Sequence, residues 1–315
     1  MKSLLQFFRL IRWQNLLFIA LTQYLFFFAI AQPVLNGYID FTRETYLLFH
    51  ILCFSSVLIA ASGYIINDYF DLNIDTINKP EKLVVDHGIG RRWVMFFHFI
   101  FSIAGILMGF YIGLQNGNWL IGMAHSGVAI LLWIYSTSLK KRAVVGNALI
   151  ALLTSWTLLV VYFFVVIDDS LVQGGSSYIL AVQKLFRIVI LYAAFAFIIS
   201  FIREVVKDME DVEGDRRYGC RTMPIIWGME VTRLFVSIFM VLLLALMLLA
   251  FFYILQLRMW LPGVYHAVFI LAPSIHTFRI LQKSKQTSDF SRISLWIKMI
   301  MLSGILSMLM FRIFA

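Results

Sequence analysis

Nine stretches of this sequence stay apolar for roughly 20 residues, near 14–33, 46–66, 92–114, 118–138, 146–167, 185–206, 229–255, 261–281 and 294–314. Each is long enough to cross the hydrocarbon core of a bilayer. Backbone polar groups inside that core must be satisfied within a helix or a closed barrel, and runs of this length predict helices. The expected fold is therefore all-α and polytopic. Hydrophobic residues make up 61% of the 315 and charged residues only 14%, which excludes an ordinary soluble domain. Nothing between the runs is low-complexity or linker-like, so residues 1–315 read as one domain.

The location of the 26 Lys and Arg residues sets the expected orientation. With the N-terminus inside, the connections after spans two, four, six and eight share one side. That side collects Lys79, Lys82, Arg91 and Arg92, then Lys140, Lys141 and Arg142. Later in the chain it takes Arg216, Arg217 and Arg221, then Arg279, Lys283, Lys285 and Arg292. The other side has Arg43, Arg258 and the acidic pair Asp168 and Asp169. The asymmetry makes the basic side cytoplasmic and places the chain in the inner (cell) membrane. The net charge of +9 thus reflects topology rather than a nucleic-acid partner. Lys2, Arg9 and Arg12 before the first run resemble the start of a signal peptide. That run is too long and has no convincing small-residue cleavage site, so it reads as a retained span. Cys53 and Cys220 have no metal or disulfide spacing and read as free thiols.

Two acidic motifs break this pattern. Asn67-Asp68-Tyr69-Phe70-Asp71-Leu72-Asn73-Ile74-Asp75 follows the second run, and Asp208, Asp211 and Asp215 repeat its D-x-x-D-x-x-x-D spacing after the sixth. Positions i, i+3 and i+7 share a helix face, so each motif is expected to aim three carboxylates at one point. Such clusters repel unless cations lie between them, and oxygen-only donors suit Mg2+ rather than zinc. A solvated acidic loop would have no reason to repeat the spacing. The connections at 67–91 and 207–228 mix acids, bases and apolar residues such as Leu83, Val84 and Ile89, and are expected to form a cytoplasmic cap.

A diphosphate is the natural ligand of two Mg2+-loaded clusters, because it bridges ions whose charge it balances. Basic residues near the motifs would complete the cradle: Lys79, Lys82, Lys140, Arg203, Lys207 and Arg221. Arg91, Arg92, Lys283 and Lys285 read instead as headgroup contacts. At a membrane mouth the diphosphate would carry a prenyl tail in the apolar interior. Breaking its allylic carbon–oxygen bond leaves a cation that needs a dry site with π-faces nearby. Tyr64, Tyr69, Phe70 and Tyr135 are the aromatic candidates, with ordinary packing as the rival role for each. Glu204 and Asp208 are the candidate bases. The histidines sit at no metal spacing and read as packing residues, with His87 in the cap loop.

The paired motifs resemble those of the UbiA family of intramembrane prenyltransferases. Asn67, Asp68, Asp71 and Asp75 match the first family motif. Asp211 and Asp215, followed by Gly219, Arg221 and Thr222, match the second. The resemblance implies nine helices around a central cavity. It implies Mg2+ held by Asn67, Asp71, Asp211 and Asp215, with Asp68, Asp75, Asp208 and Tyr135 in catalytic support. One departure is visible: Tyr135 precedes Lys140 by five positions where the family has Tyr-x-x-x-Lys. The run from Arg203 to Asp215 and the segment Ile77 to Pro80 are similar to one branch, which transfers geranylgeranyl groups to glycerol-phosphate ether-lipid precursors. Prenyltransferases acting on homogentisate share part of this pattern. An aromatic quinone precursor (4-hydroxybenzoate, homogentisate or dihydroxynaphthoate type) therefore remains the second acceptor class.

A rival class is a cation-coupled transporter. It predicts carboxylates at the bilayer midplane, whereas these six aspartates lie at span ends. It also predicts ionisable residues within the spans, and these are nearly absent from the sequence.

Overall fold

The protein is represented by a computed structural model that describes residues 2–314, other than Lys79, Glu81, Lys82, His87, Asn118, 167–174 and Lys285. Among the described residues nine helices are long and apolar enough to cross a membrane. A short helix α1 (Lys2–Leu10) precedes them. The first five spans are α2 (Trp13–Leu35), α3 (Arg43–Asn78), α4 (Arg91–Gln115), α5 (Leu120–Thr137) and α6 (Val145–Val166). The sixth, α7 (Gly175–Glu210), leads into two short helices, α8 (Val212–Arg217) and α9 (Met223–Ile226). The last three are α10 (Met229–Gln256), α11 (Trp260–Lys283) and α12 (Thr287–Phe314).

Both motif-bearing helices run to 36 residues, well past the apolar stretch that identifies them. Neither Gly nor Pro interrupts the sequence from Tyr64 to Asn78, so helix propensity carries α3 straight through the first motif. Pro80 disfavours helical backbone just before it, and α3 ends at Asn78. The first motif is therefore on a rigid helix rather than in a cap loop, which corrects the boundary expected at residue 67. The second motif does lie at a break. Asp211 leaves helical geometry (φ −96°, ψ 9°) and stands at the N-cap position of α8, without a side-chain capping bond.

Two spans widen into π-type turns, at Phe26–Ala31 and His266–Leu271. Each lies just ahead of a proline, Pro33 or Pro273. A proline ring clashes with the carbonyl four residues back and donates no hydrogen bond, and a widened turn relieves both conflicts without ending the helix.

The chain divides into two compact units, 1–139 with 156–190 and 140–155 with 191–315. In the first, α4 carries Gly105 and Gly109 one turn apart. A Cβ on Gly105 would meet Ile59 of α3 at 2.6 Å, and one on Gly109 would meet His125 of α5 at 3.0 Å. Without side chains at these positions the helices can approach closely, the usual way apolar spans gain packing energy in lipid. His125 is buried and satisfied, with Nε2 2.8 Å from Ser55 Oγ and Nδ1 2.9 Å from the Ile121 carbonyl. His98 likewise pairs with the Ser62 carbonyl, in keeping with packing roles for both. Leu10 of α1 is buried with Ile65, Leu72, Val84, Val85, Ile89 and Val94, which ties α1 and the segment after the first motif to the end of α3. In the second unit, Phe201, Ile202 and Val205 of α7 share a core with Ile293, Ile297 and Ile300 of α12 and with Met240 and Leu243 of α10.

Candidate active site

Asn67 begins the first motif on α3. Its Nδ2 donates to Asp71 Oδ2 one turn on, at 2.7 Å. Its Oδ1 is buried and has no hydrogen-bond partner among the described residues. A buried amide oxygen without a donor is costly and suits a hard cation, especially beside a carboxylate.

Asp68 has a different neighbourhood. Arg12 Nη2 donates to Asp68 Oδ1 at 2.6 Å, and the guanidinium lies 5.3 Å from the Tyr64 ring centroid. Arg12 occupies the corner between α1 and α2 with a left-handed backbone (φ 50°). Such geometry is unfavourable for a residue with a Cβ, so the corner is held by what its side chain reaches. The Asp68 carboxylate raises the Arg12 pKa above its ordinary value, with smaller contributions from Tyr64 and Asp75. Tyr64 is thus a cation–π partner. Tyr69 packs with the apolar cluster around Leu10, and Phe70 sits edge-on to Trp133 with centroids 6.0 Å apart. Lys79, Lys82 and His87 lie outside the described residues.

In the second unit, Asp208 occupies the last turn of α7, where Asn147 of α6 donates Nδ2 to its Oδ2 at 2.8 Å. Glu204, one turn earlier, receives Arg203 Nη1 at 3.1 Å and Lys207 Nζ at 3.2 Å. Of the two candidate bases, Glu204 is committed to cations and Asp208 to a neutral amide. Asp211 and Asp215 bracket the first turn of α8, joined by Asp215 N donating to the Asp211 carbonyl at 3.2 Å. Gly219 then takes a φ of +71°, which only glycine adopts without strain, and turns the chain back. Arg221 N can therefore donate to the Lys141 carbonyl at 2.8 Å. The turn Lys140–Arg142 and the stretch after the second motif thus form one basic corner. Lys140 lies there in a short 3-10 turn, and Tyr135 is half-buried in the last turns of α5.

The expectation that each motif aims three carboxylates at one point does not hold. Among the described residues no three His, Cys, Asp or Glu side chains are gathered to hold one ion. The physical reason is local. Arg12 engages Asp68, Asn147 engages Asp208, and the break at Asp211 takes the second motif off a single helix face. The oxygen donors that remain are Asn67, Asp71 and Asp75 on α3 and Asp211 and Asp215 at α8; of these, Asn67 with Asp71 and Asp211 with Asp215 fit a divalent ion that completes its shell with water and substrate oxygens.

Three residues absent from the expected set belong to these surroundings: Arg12, Asn147 and Lys298. Asn147 is a lone amide near the start of an apolar run. Lys298 of α12 interrupts the ninth run between Ile297 and Ile300, which are buried in the same core as Ile202 and Val205 of α7.

The profile of the UbiA prenyltransferase family matches residues 20–301. The digeranylgeranylglyceryl phosphate synthase of Methanothermobacter thermautotrophicus is 38% identical over 194 residues, 61% of each chain. That of Korarchaeum cryptofilum is 33% identical over 187 residues, 59% of this chain and 58% of the other. The alignments thus span about three-fifths of the length of these curated relatives. A solved structure described as a digeranylgeranylglyceryl phosphate synthase superposes with a TM-score of 0.60 at 23% identity, covering 98% of this chain and 99% of the other. A UbiA homolog from Archaeoglobus fulgidus bound to DMAPP and Mg2+ superposes with a TM-score of 0.54 at 13% identity, covering 96% and 99%. These likenesses identify the nine-helix fold.

Proposed function

This chain belongs to the UbiA prenyltransferase family, and from that premise we propose that it transfers a prenyl group, geranylgeranyl, from its diphosphate to a glycerol-phosphate ether-lipid precursor. The observation that carries the reading is Asn67, whose buried and unpartnered Oδ1 lies beside Asp71 in the motif that the family uses for Mg2+. The acceptor class is supported by relatives such as the Methanothermobacter synthase. We read residues 1–315 as a single catalytic domain working at the cytoplasmic face of the inner membrane, as the distribution of Lys and Arg supports.

Asn67 and Asp71 would hold one Mg2+, and Asp211 and Asp215 another. Bound Mg2+ would neutralise charge on the diphosphate as its oxygen takes the electron pair of the breaking allylic bond. The acceptor hydroxyl oxygen forms the new bond to the allylic carbon and loses its proton. Asp208 is the better-placed base, since Glu204 is engaged by Arg203 and Lys207. Asn147 keeps the Asp208 carboxylate in a fixed orientation through Oδ2. Arg12 neutralises Asp68 and removes one of the mutually repelling charges along α3. Asp75, Tyr135, Lys140 and Arg221 are assigned supporting roles around the substrates, as are Lys79 and Lys82.

The test is incubation of the purified protein with labelled geranylgeranyl diphosphate and a panel of glycerol-phosphate and aromatic acceptors. A prenylated glycerol-phosphate lipid should form with Mg2+, disappear with EDTA, and be absent from Asp71→Ala. Product on an aromatic acceptor alone would replace the acceptor class. No Mg2+-dependent product on any acceptor would refute the reading.

A further inference from the structure

The core face of α12 has one gap in its pattern. Phe290, Ile293, Ile297, Ile300 and Met308 recur at helical spacing and are all 3% exposed or less. The opposite face carries Leu295, Met299 and Ile313, each more than half exposed. Gly304 falls within the core stripe, four residues after Ile300 and four before Met308, yet it is only half-buried. A Cβ placed on it would meet nothing within 4 Å. At Gly105 and Gly109, by contrast, a Cβ would crowd the neighbouring helix. Close helix approach therefore does not explain Gly304. Helix propensity does not either, since glycine is among the poorest helix formers. What glycine provides here is open space on the inner face of α12.

The groups around this space indicate what fits it. Tyr192 of α7 and Tyr265 of α11 are tied to α12 at the residues that flank Gly304. Tyr192 Oη lies 3.1 Å from Ser307 Oγ, and Tyr265 Oη donates to the Ser303 carbonyl at 2.8 Å. Ser307 Oγ donates in turn to the Gly304 carbonyl at 2.6 Å. These polar groups are engaged with one another, whereas a buried water needs about two to four polar partners of its own. Aromatic rings and aliphatic side chains remain, and they suit a hydrocarbon. The depth fits as well. Tyr192 stands sixteen residues before Asp208 on α7, about 24 Å of helical rise. A geranylgeranyl chain extended from a diphosphate covers a distance of this order, and a geranyl chain stops well short of it.

We propose that the space at Gly304 receives the far end of a substrate's geranylgeranyl chain, so that Gly304 determines which chain lengths are accepted. The proposal deepens the prenyl-transfer reading and rests on it for the identity of the ligand. In that reaction the donor and a geranylgeranylglyceryl phosphate acceptor each bring such a chain, and the experiment separates the two. A larger side chain at position 304 fills the space that the last isoprene units need.

The test compares the wild type with Gly304→Ala and Gly304→Leu, all as full-length protein in detergent. Equilibrium binding is measured for two pairs of ligands that differ only in chain length. One pair is the non-reacting thiolodiphosphate analogues of geranyl and geranylgeranyl diphosphate. The other is geranylglyceryl and geranylgeranylglyceryl phosphate, and product formation from the natural donor and acceptor is followed separately. A Cβ at 304 meets nothing within 4 Å, so Gly304→Ala should unfold at or above the wild-type midpoint. Gly304→Leu should weaken at least one geranylgeranyl ligand tenfold or more and its geranyl counterpart less than twofold, with Gly304→Ala between. The pair affected identifies the chain as the donor's or the acceptor's. Length-dependent binding that leads to no product supports the chain site and refutes the reaction. Equal weakening of short and long ligands, or unchanged binding in a folded Gly304→Leu, would overturn the proposal. A Gly304→Leu protein that does not fold would show the space to be too small for isoprene units, with the same consequence.

Discussion

Replacing Arg12 with Gln isolates the contact between the N-terminal segment and the first motif. Arg12 and Asp68 approach to 2.6 Å with side chains 34% and 18% exposed. Two unit charges about 4 Å apart attract by about 4 kcal/mol at an effective dielectric constant near 20. Solvent screening at the half-open arginine and the desolvation of both ions reduce this to about 2 kcal/mol. A charge-assisted hydrogen bond has the same size, about 1.5–3 kcal/mol. Glutamine keeps a Cβ, so the strain of the left-handed corner is common to both proteins and cancels. Unfolding entropies of about 2 cal/mol/K per residue over this length convert the loss to about 3 °C. The assay is thermal unfolding in detergent, followed by circular dichroism, for wild type, Arg12→Gln, Asp68→Asn and the double variant. Each single substitution should lower the midpoint by about 3 °C, and the double should lower it no further than the worse single. The cycle then gives a coupling of about 2 kcal/mol. Fully additive losses would show that the pair is not coupled and that the α1–α2 corner is held by apolar packing alone.

Asn147→Leu should leave the protein inserted but lower prenyl transfer tenfold or more, because it removes the amide that orients Asp208 at 2.8 Å. Turnover within twofold of wild type, measured per folded protein, would remove Asn147 from the site. Gly105→Val should destabilise the first unit by about 1–3 kcal/mol, read as a lower unfolding midpoint. Its Cβ would stand 3.0 Å from the Ser55 carbonyl oxygen, a backbone atom that cannot rotate away. Gly127→Ala is the control, since a Cβ there meets nothing within 4 Å, and an equal loss would show that close α3–α4 approach is not the cause.

Much of the molecule was legible along the chain, because the solvent that selects it acts on local segments. A bilayer demands unbroken apolar helices, so the nine runs could be counted directly, and the spacing of Asp68, Asp71 and Asp75 marked the helix end that carries chemistry. The sequence did not reveal where that helix stops. Apolar length reports where the membrane ends, while Pro80 and the run of helix-permitting residues before it determine where α3 ends.

What only the tertiary structure decided is which charge meets which. Periodicity puts three carboxylates on one face, but a side chain turns toward its partner, and the partners come from remote segments. Arg12 is 56 residues from Asp68, and Asn147 is 61 from Asp208. Local pattern fixes helices and their faces because hydrogen bonding and hydration act over a few residues. Electrostatic pairing acts through space, and only the packed bundle determines it.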